Sequence, residues 1–243
     1  MKTLKDNSFS FRSYRSKFTS VPEVITAMEN LQEELENTDM ENLRAFNQTY
    51  LTITKNVFAR MGTGYFANDH LMTEVDIQFS RYYFNALKAY LSGRKSPEAW
   101  KVLFDSCKAN RHNQFVYMAM GVNAHVNNDL AFTLVDVVSD EAFQQDFLKV
   151  NEIIHQSTKD IILSLEEKSS LVSFVENNFL ILYKYFLDKL IENWRANVWK
   201  NYLNLKKGST KKEAVEEKAF SIVKSLSNIN HLSKLYLLHK TMI

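Results

Sequence analysis

Apolar residues recur along most of this chain every three or four positions, the spacing that places them on one face of an α-helix. Helix-start residues separate the apolar segments: Ser20 and Pro22 have the form of a helix start, and Thr38 with Glu41 repeats it. The pattern predicts helices over residues 21–36, 40–61 and 67–92, from residue 97, across 115–136, from residue 140, over 169–205, and from residue 210 to about 238.

These elements predict an all-α fold, a single-domain bundle of about seven to nine helices around a central apolar helix. The chain of 243 residues is 45% hydrophobic, which is enough to bury a substantial core. Its five glycines and two prolines are too few for a turn-rich β architecture. We therefore expect one helical domain over residues 20–243, preceded by an N-terminal arm at residues 1–19 whose aromatic side chains lie over the domain.

The predicted helix over 169–205 is apolar almost all the way round. A helix of this composition is usually enclosed by others. We expect it to be the most buried element of the bundle, with four of its residues in the core: Phe179, Leu182, Phe186 and Leu190.

The most informative segment is the apolar run from Phe115 to Asp136, because polar residues interrupt it at its centre. Each polar side chain that an enclosed helix leaves unpaired costs about 1–3 kcal/mol, so a cluster of them implies a partner network or a ligand. The interrupting residues are Asn123, His125, Asn127, Asn128 and Asp129.

Helical spacing divides this cluster between two sides of the helix. His125, Asn128 and Asp129 share one stripe, where His125 and Asp129 stand four residues apart and can form a hydrogen bond or share a metal ion. Gly121 lies one turn earlier on that stripe and lets another helix or a ligand approach the backbone. Asn123 and Asn127 point to the opposite side, where we expect a structural role.

Other helices carry polar residues that can face the same region. Glu74 and Arg81 lie on a stripe that also holds apolar residues, so they can line a cleft instead of a wholly solvated face. Asn151 and His155 lie inside the apolar side of their helix, and a buried Arg195 needs a carboxylate, a carbonyl or an anionic ligand. We expect Asn128, Glu74, Arg81, Asn151 and Arg195 to contact a ligand.

The segment from Gly121 to Leu130, GVNAHVNNDL, resembles the core motif G-[MV]-N-A-H-[IV]-x-x-D-L of an uncharacterised bacterial all-helical family, domain of unknown function 5995. Residues around Asn151 and the pair Arg195 and Trp199 show weaker likenesses to it. The resemblance implies a helical fold over most of the chain and a site at the motif. The family brings no established activity, so the resemblance implies no substrate.

Several chemistries fit the cluster. Phosphate-loop, serine-hydrolase, dinucleotide and H-E-x-x-H motifs are absent, and the Glu-x-x-His pattern of di-iron bundles occurs once, at Glu152 and His155. One alternative is a divalent metal ion on His125 and Asp129, completed by His70, Glu74 or His155. A second is metal-free acid–base catalysis by His125 and Asp129 on a small molecule. A third is a non-catalytic protein for ligand binding or interaction, in which the cluster is a polar lock between helices.

Charge and cysteine content indicate which classes of partner and which cellular compartment to expect. The net charge is +2, and the 30 basic and 28 acidic residues are interspersed along the chain. We therefore expect no basic surface for binding nucleic acid. The single Cys107 suits a reducing compartment. With no signal peptide and no apolar stretch of about 18 residues, we expect a cytoplasmic protein without a membrane span. The oligomeric state is left open.

Overall fold

The computed structural model describes residue 9 and residues 17–166 and 177–228, with the side chains of residues 166 and 177–186 outside that description. These ranges contain helices and no strand, which confirms the all-α prediction. Two 3₁₀ turns, at Glu41–Leu43 and Glu141–Phe143, and one π-helical segment lie between α-helices. The α-helices are α1 (Val21–Glu34), α2 (Arg44–Phe58), α3 (Asp69–Leu91), α4 (Glu98–Ala109), α5 (Gln114–Asn123), α6 (Ala131–Val137), α7 (Gln144–Glu166), α8 (Asn177–Lys206) and α9 (Lys212–Ser227).

Helices α5 and α6 are two ends of one central helix, because a π-helical segment at Ala124–Leu130 joins them without a break. With these three pieces taken together, the described part of the chain has eight helices. The central helix packs against α2, α3, α4, α8 and α9. From Val116 to Leu134 every residue is buried except Ala119 and Val126, which are half-buried. This element, and not α8, is the enclosed centre of the bundle.

The prediction that the helix over 169–205 is the most buried element of the bundle is therefore wrong. Where its side chains are described, α8 turns charged residues to solvent, among them Lys189 and Lys200, and Leu190 is half-buried. The side chains of Phe179, Leu182 and Phe186 lie outside the described residues.

Helices α1, α3 and the central helix begin close to where the sequence predicts, and at each of these starts a side chain satisfies a free backbone N–H. The Ser20 hydroxyl accepts from the Glu23 N–H, and Pro22 lies in the first turn of α1. Asn113 caps the central helix by accepting from the Val116 N–H. Helix α9 begins at Lys212, close to the predicted start at residue 210, and has no side-chain cap.

Gly121 allows close contact between the central helix and α2. A Cβ atom on Gly121 would lie 2.3 Å from Cγ of Phe46, closer than side chains approach one another. The glycine thus admits the Phe46 ring against the helix backbone, next to the polar cluster. Of the two possibilities raised by the sequence, a helix fills this space.

Buried hydrophobic residues form two clusters, one around α1, α2, α4 and α5 and one around α6, α7 and the C-terminal half of α8. Ile53, Met61, Phe79 and Val126 pack against both clusters. The two clusters therefore make one continuous core, as expected of a single-domain bundle.

Only part of the predicted N-terminal arm lies in the described ranges. Phe9 and Phe18 are buried, and the Phe18 ring meets the Phe84 ring edge-on at 5.1 Å. The backbone N–H of Phe9 donates to Asp39 at 2.8 Å. These two aromatic residues are therefore packed against the helices.

No helix in the described ranges is both long enough and apolar enough to span a lipid bilayer.

Candidate functional site

The polar cluster lies on the π-helical segment of the central helix, Ala124–Leu130. A π-helix closes its hydrogen bonds over five residues, so it widens the turn and changes the direction of its side chains relative to an α-helix. Short π-helical segments are frequent at functional sites. Here the segment carries His125, Asn128 and Asp129, all nearly inaccessible to solvent.

The Asp129 carboxylate collects three side-chain donors. Nδ1 of His125 lies 3.1 Å from its Oδ2 atom, and the indole N–H of Trp100 on α4 donates to the same oxygen at 2.9 Å. The side-chain amide of Asn128 donates to Oδ1 at 2.8 Å. Since both carboxylate oxygens accept, the natural arrangement is an ionised Asp129 that holds the His125 ring with its proton on Nδ1.

Burial governs the charge of this pair. It lowers the pKa of His125, and hydrogen bonding and attraction to Asp129 only partly oppose that effect. Burial also raises the pKa of Asp129, while its three donors act in the opposite direction. At neutral pH the imidazole is therefore neutral, with its lone pair on Nε2.

Aromatic rings fix the plane of the imidazole. Phe79 of α3 stacks on it, with ring centroids 3.5 Å apart and planes inclined by 7°. Tyr50 of α2 meets it edge-on at 4.3 Å, and Phe46 does so at 5.6 Å. The buried Nε2 atom of His125 has no hydrogen-bond partner among the described residues. The ring is thus held in place with one basic nitrogen unused.

A cavity of about 120 Å³ adjoins the imidazole. It is enclosed by α2, α3, the central helix, α7 and α8, and most of its wall is hydrocarbon. Three of its lining residues carry a basic or acidic group: His125, Asp76 and Arg195. Hydroxyl groups on the wall come from Tyr50, Thr49, Thr54 and Thr158. The apolar part includes Ile53, Val57, Met72, Val75, Met118, Val122, Leu130, Phe143, Val150, Ile154, Ile161, Leu187 and Ile191.

Sequence reasoning missed Asp76. This carboxyl group lies on the cavity-facing side of α3, and its buried Oδ2 atom has no hydrogen-bond partner in the described chain. Burial raises the pKa of Asp76 to about 7. The available signal was its position, since Asp76 stands within the apolar stripe formed by Met72, Val75 and Phe79.

Arg195 and Asn151 come together at another wall of the cavity. Nε of Arg195 donates to Oδ1 of Asn151, and Nη2 donates to the backbone oxygen of Phe147 at 2.7 Å. The guanidinium also lies over the Phe147 ring, 4.1 Å from its centroid. Burial lowers the pKa of Arg195 to about 9, so the group is charged at neutral pH. Asn151 supports the arginine and is not itself a lining residue.

The structure does not bring Glu74 or Arg81 to the cavity. Glu74 is exposed and faces His70 at 3.7 Å. Arg81 donates to the backbone oxygen of Phe18 at 2.6 Å and so holds the N-terminal arm. Both residues lie on α3, but on other sides of the helix than Asp76 and Phe79.

Asn123 and Asn127 face α9, away from the cavity side of the central helix. The Asn123 amide donates to the Ala219 backbone oxygen at 2.9 Å, and the Asn127 amide donates to Oδ1 of Asn123 at 3.0 Å. The Asn123 side chain thus links the central helix to α9.

Within residues 9, 17–166 and 177–228, no group of three or more His, Cys, Asp or Glu side chains is placed to hold a metal ion. His125 and Asp129 are hydrogen-bonded to each other, and the third ligands expected from the sequence lie elsewhere. His70 is exposed on α3. His155 is also exposed and pairs with Asp188, so the prediction that His155 lies inside the core is wrong.

Neither the curated proteins nor the solved structures contain a match to this chain. A family model described as a family of unknown function, DUF5995, matches residues 21–230, which include the whole helical bundle described above. The resemblance found in the motif around His125 thus extends over most of the sequence. The chain belongs to the family of unknown function DUF5995.

Proposed function

We propose that this protein is an enzyme that transfers a proton to or from a small molecule bound in the cavity, with His125 as the general base. The observation that carries the proposal is the buried Nε2 atom of His125, which has no hydrogen-bond partner among the described residues. A polar atom left unpaired in an apolar interior costs about 1–3 kcal/mol, and a ligand bearing a donor group would recover that cost.

The residues around His125 support a base more than a passive core histidine. The Asp129 carboxylate orients the ring and stabilises the imidazolium that forms when Nε2 takes up a proton. Phe79 and Tyr50 hold the ring plane. A base must be unprotonated before it acts, and the lowered pKa of His125 meets that requirement at neutral pH. Groups of this kind contribute about 10²–10⁴-fold to a rate.

Asp76 is the natural acid partner. With a pKa of about 7, its carboxyl group carries a proton in roughly half of the molecules at neutral pH. It lines the same cavity as His125, on the neighbouring helix α3. A base and an acid on one small cavity can remove a proton from one atom of a ligand and deliver one to another.

A second candidate function is non-catalytic. The Trp100 indole donates to Asp129 and so links α4 to the central helix. The cluster therefore joins helices whether or not it does chemistry. In this alternative the protein binds a ligand without transforming it, or the cluster is a structural lock.

The proposed proton transfer can be detected without knowing the natural substrate. The protein is incubated in D₂O with a panel of small carbonyl compounds and carboxylic acids, and mass spectrometry follows the incorporation of deuterium at carbon. We expect at least one compound to exchange with wild-type protein. The rate should fall about 10²-fold or more in His125→Gln. The matched control is His70→Gln, which removes an exposed imidazole and should leave exchange unchanged.

Two results would contradict the proposal. Exchange that persists in His125→Gln would assign the proton transfer to another group. A panel that shows neither exchange nor binding, together with equal destabilisation of His125→Gln and Asp129→Asn, would identify the cluster as the structural lock.

A further inference from the structure

Arg195 is a buried cation without an anionic partner in the described chain. Its two hydrogen bonds go to neutral oxygens, those of Asn151 and the Phe147 backbone. No described carboxylate forms an ion pair with it, and burial alone accounts for the shift in its pKa. The Nη1 nitrogen makes no hydrogen bond to any described residue. One face of the guanidinium lies on the Phe147 ring.

A buried cation of this kind destabilises the folded protein unless another group compensates its charge. Desolvation of an ion costs several kcal/mol even after relaxation, and neutral acceptors recover only part of that cost. The guanidinium presents pairs of N–H donors in the planar arrangement that a carboxylate accepts through two hydrogen bonds. Because Arg195 lines the cavity, a ligand can supply the missing anion.

The remaining acidic groups of the cavity region do not prevent the entry of an anion. The charge of Asp129 is held by donors from His125, Asn128 and Trp100. Asp76 has a pKa of about 7, so it can keep a proton while an anion is bound. A ligand carboxylate at Arg195 would therefore be attracted by the guanidinium and would not be repelled by a free carboxylate of Asp129 or Asp76.

The rest of the cavity wall determines the polarity and the size of the remaining part of the ligand. It is lined mainly by aliphatic and aromatic side chains. The volume of about 120 Å³ is close to that of an engineered 150 Å³ cavity in another protein, which binds benzene. The cavity thus has room for a hydrocarbon body of about one ring or a short chain.

We infer that the ligand of this cavity is a small apolar monocarboxylic acid, whose carboxylate is bound by Arg195 and whose hydrocarbon body fills the space toward His125. This inference rests on the proposed function, since it specifies the chemistry of the molecule that enters the same cavity. It adds the recognition of negative charge, which acid–base catalysis by His125 does not by itself require.

The test compares benzoate with benzamide, a neutral molecule of nearly the same shape. Isothermal titration calorimetry at pH 7 measures the Kd of each for the full-length wild-type protein, for Arg195→Met and for Lys200→Met. Lys200 is an exposed lysine on the same helix, so its variant removes a positive charge without touching the cavity. We expect wild type and Lys200→Met to bind benzoate at least tenfold more tightly than benzamide. Arg195→Met should lose this preference and bind benzamide unchanged.

The outcomes separate this inference from the proposed function. Equal affinity of wild type for benzoate and benzamide, or a preference that survives in Arg195→Met, would overturn the role of Arg195 and leave a neutral ligand for the His125 cavity. If Arg195→Met does not fold, the wild-type comparison can still overturn the inference, because equal affinities for benzoate and benzamide would exclude recognition of the negative charge. Failure of both probes to bind wild type would overturn this inference, whereas the proposed proton transfer is decided separately by the deuterium-exchange experiment.

Discussion

Asp129 is the residue on which the order of the site depends, because its two oxygens bind side chains from the π-helical segment and from α4. His125 and Trp100 share one oxygen, and Asn128 donates to the other. A side chain with one acceptor oxygen cannot satisfy all three donors. The carboxylate that orients the His125 imidazole therefore also links the central helix to α4, through its hydrogen bond with Trp100.

Two substitutions separate the contribution of the whole Asp129 carboxylate to stability from that of its hydrogen bond with Trp100. Asp129→Asn leaves at least one buried donor facing an amide N–H, so we expect it to lower the free energy of unfolding by about 1–3 kcal/mol. Trp100→Phe removes the indole donor while keeping an aromatic ring, and should cost less than the loss of the whole carboxylate. Urea unfolding followed by circular dichroism measures both. A larger loss for Trp100→Phe would show that packing of the indole outweighs its hydrogen bond.

Asp76 should give the protein a distinct dependence of stability on pH. The folded state keeps the Asp76 proton up to about pH 7, whereas the ordinary pKa of an aspartate is 3.8. Between these values the folded state binds more protons than the unfolded chain, so this contribution to stability falls as the pH rises from about 4 to 7. The difference corresponds to roughly 4 kcal/mol.

The measurement compares wild type with Asp76→Asn, whose side chain stays neutral at every pH. The free energy of unfolding, taken at several pH values, should decrease more steeply in wild type, so that the variant becomes relatively more stable toward pH 7. Other titrating groups affect both proteins alike and cancel in the difference. Parallel curves would mean that Asp76 ionises in the folded state as it does in water.

At the scale of elements, the contact between the central helix and α2 depends on one missing side chain. Gly121 accepts the Phe46 ring, which in turn meets the His125 imidazole at 5.6 Å. The position of α2, with Tyr50 and the cavity wall that it provides, therefore follows from a glycine outside the polar cluster.

We predict that Gly121→Ala lowers stability even though alanine favours the helix by about 1 kcal/mol over glycine. The added Cβ would lie 2.3 Å from Cγ of Phe46, so the ring or the whole helix must move. Overpacking of this kind costs about 1–3 kcal/mol. Thermal unfolding of Gly121→Ala, Phe46→Leu and the double variant measures the effect. The double variant should be more stable than the two single effects predict, and strict additivity would exclude the clash as the cause.

At the scale of the whole molecule, the two hydrophobic clusters share residues from three helices, including Ile53, Phe79 and Val126. The cavity lies where these residues meet. A molecule in it would touch both clusters, so binding should stabilise the protein as a unit.

The shared core predicts that unfolding occurs in one cooperative transition. Trp100 and Trp194 belong to the first cluster, and Trp199 belongs to the second. Tryptophan fluorescence and far-ultraviolet circular dichroism should therefore report the same midpoint in urea. Two separated midpoints would show that the clusters unfold independently and would contradict the single-domain description.

The sequence alone was sufficient for the fold class and for most of the helix positions, because hydrophobic spacing and capping residues are local properties. Ser20, Pro22 and Asn113 act on backbone groups within the next turn, so no other part of the chain is needed to predict their effect. The contact between His125 and Asp129 is local in the same sense, since four residues along a helix bring two side chains together. The resemblance to the family was also predicted from the sequence, and the family model confirms it over residues 21–230.

Only the tertiary structure decided which residues from other helices share the cavity. Helical spacing fixes the direction in which a side chain leaves the axis of its helix. It does not determine which neighbouring helix lies in that direction. Sequence reasoning therefore chose Glu74 and Arg81 on α3, whereas packing turns Asp76 to the cavity. The π-helical segment could not be predicted from α-helical spacing either. That no described carboxylate pairs with Arg195 likewise depends on where packing places each of these carboxylates.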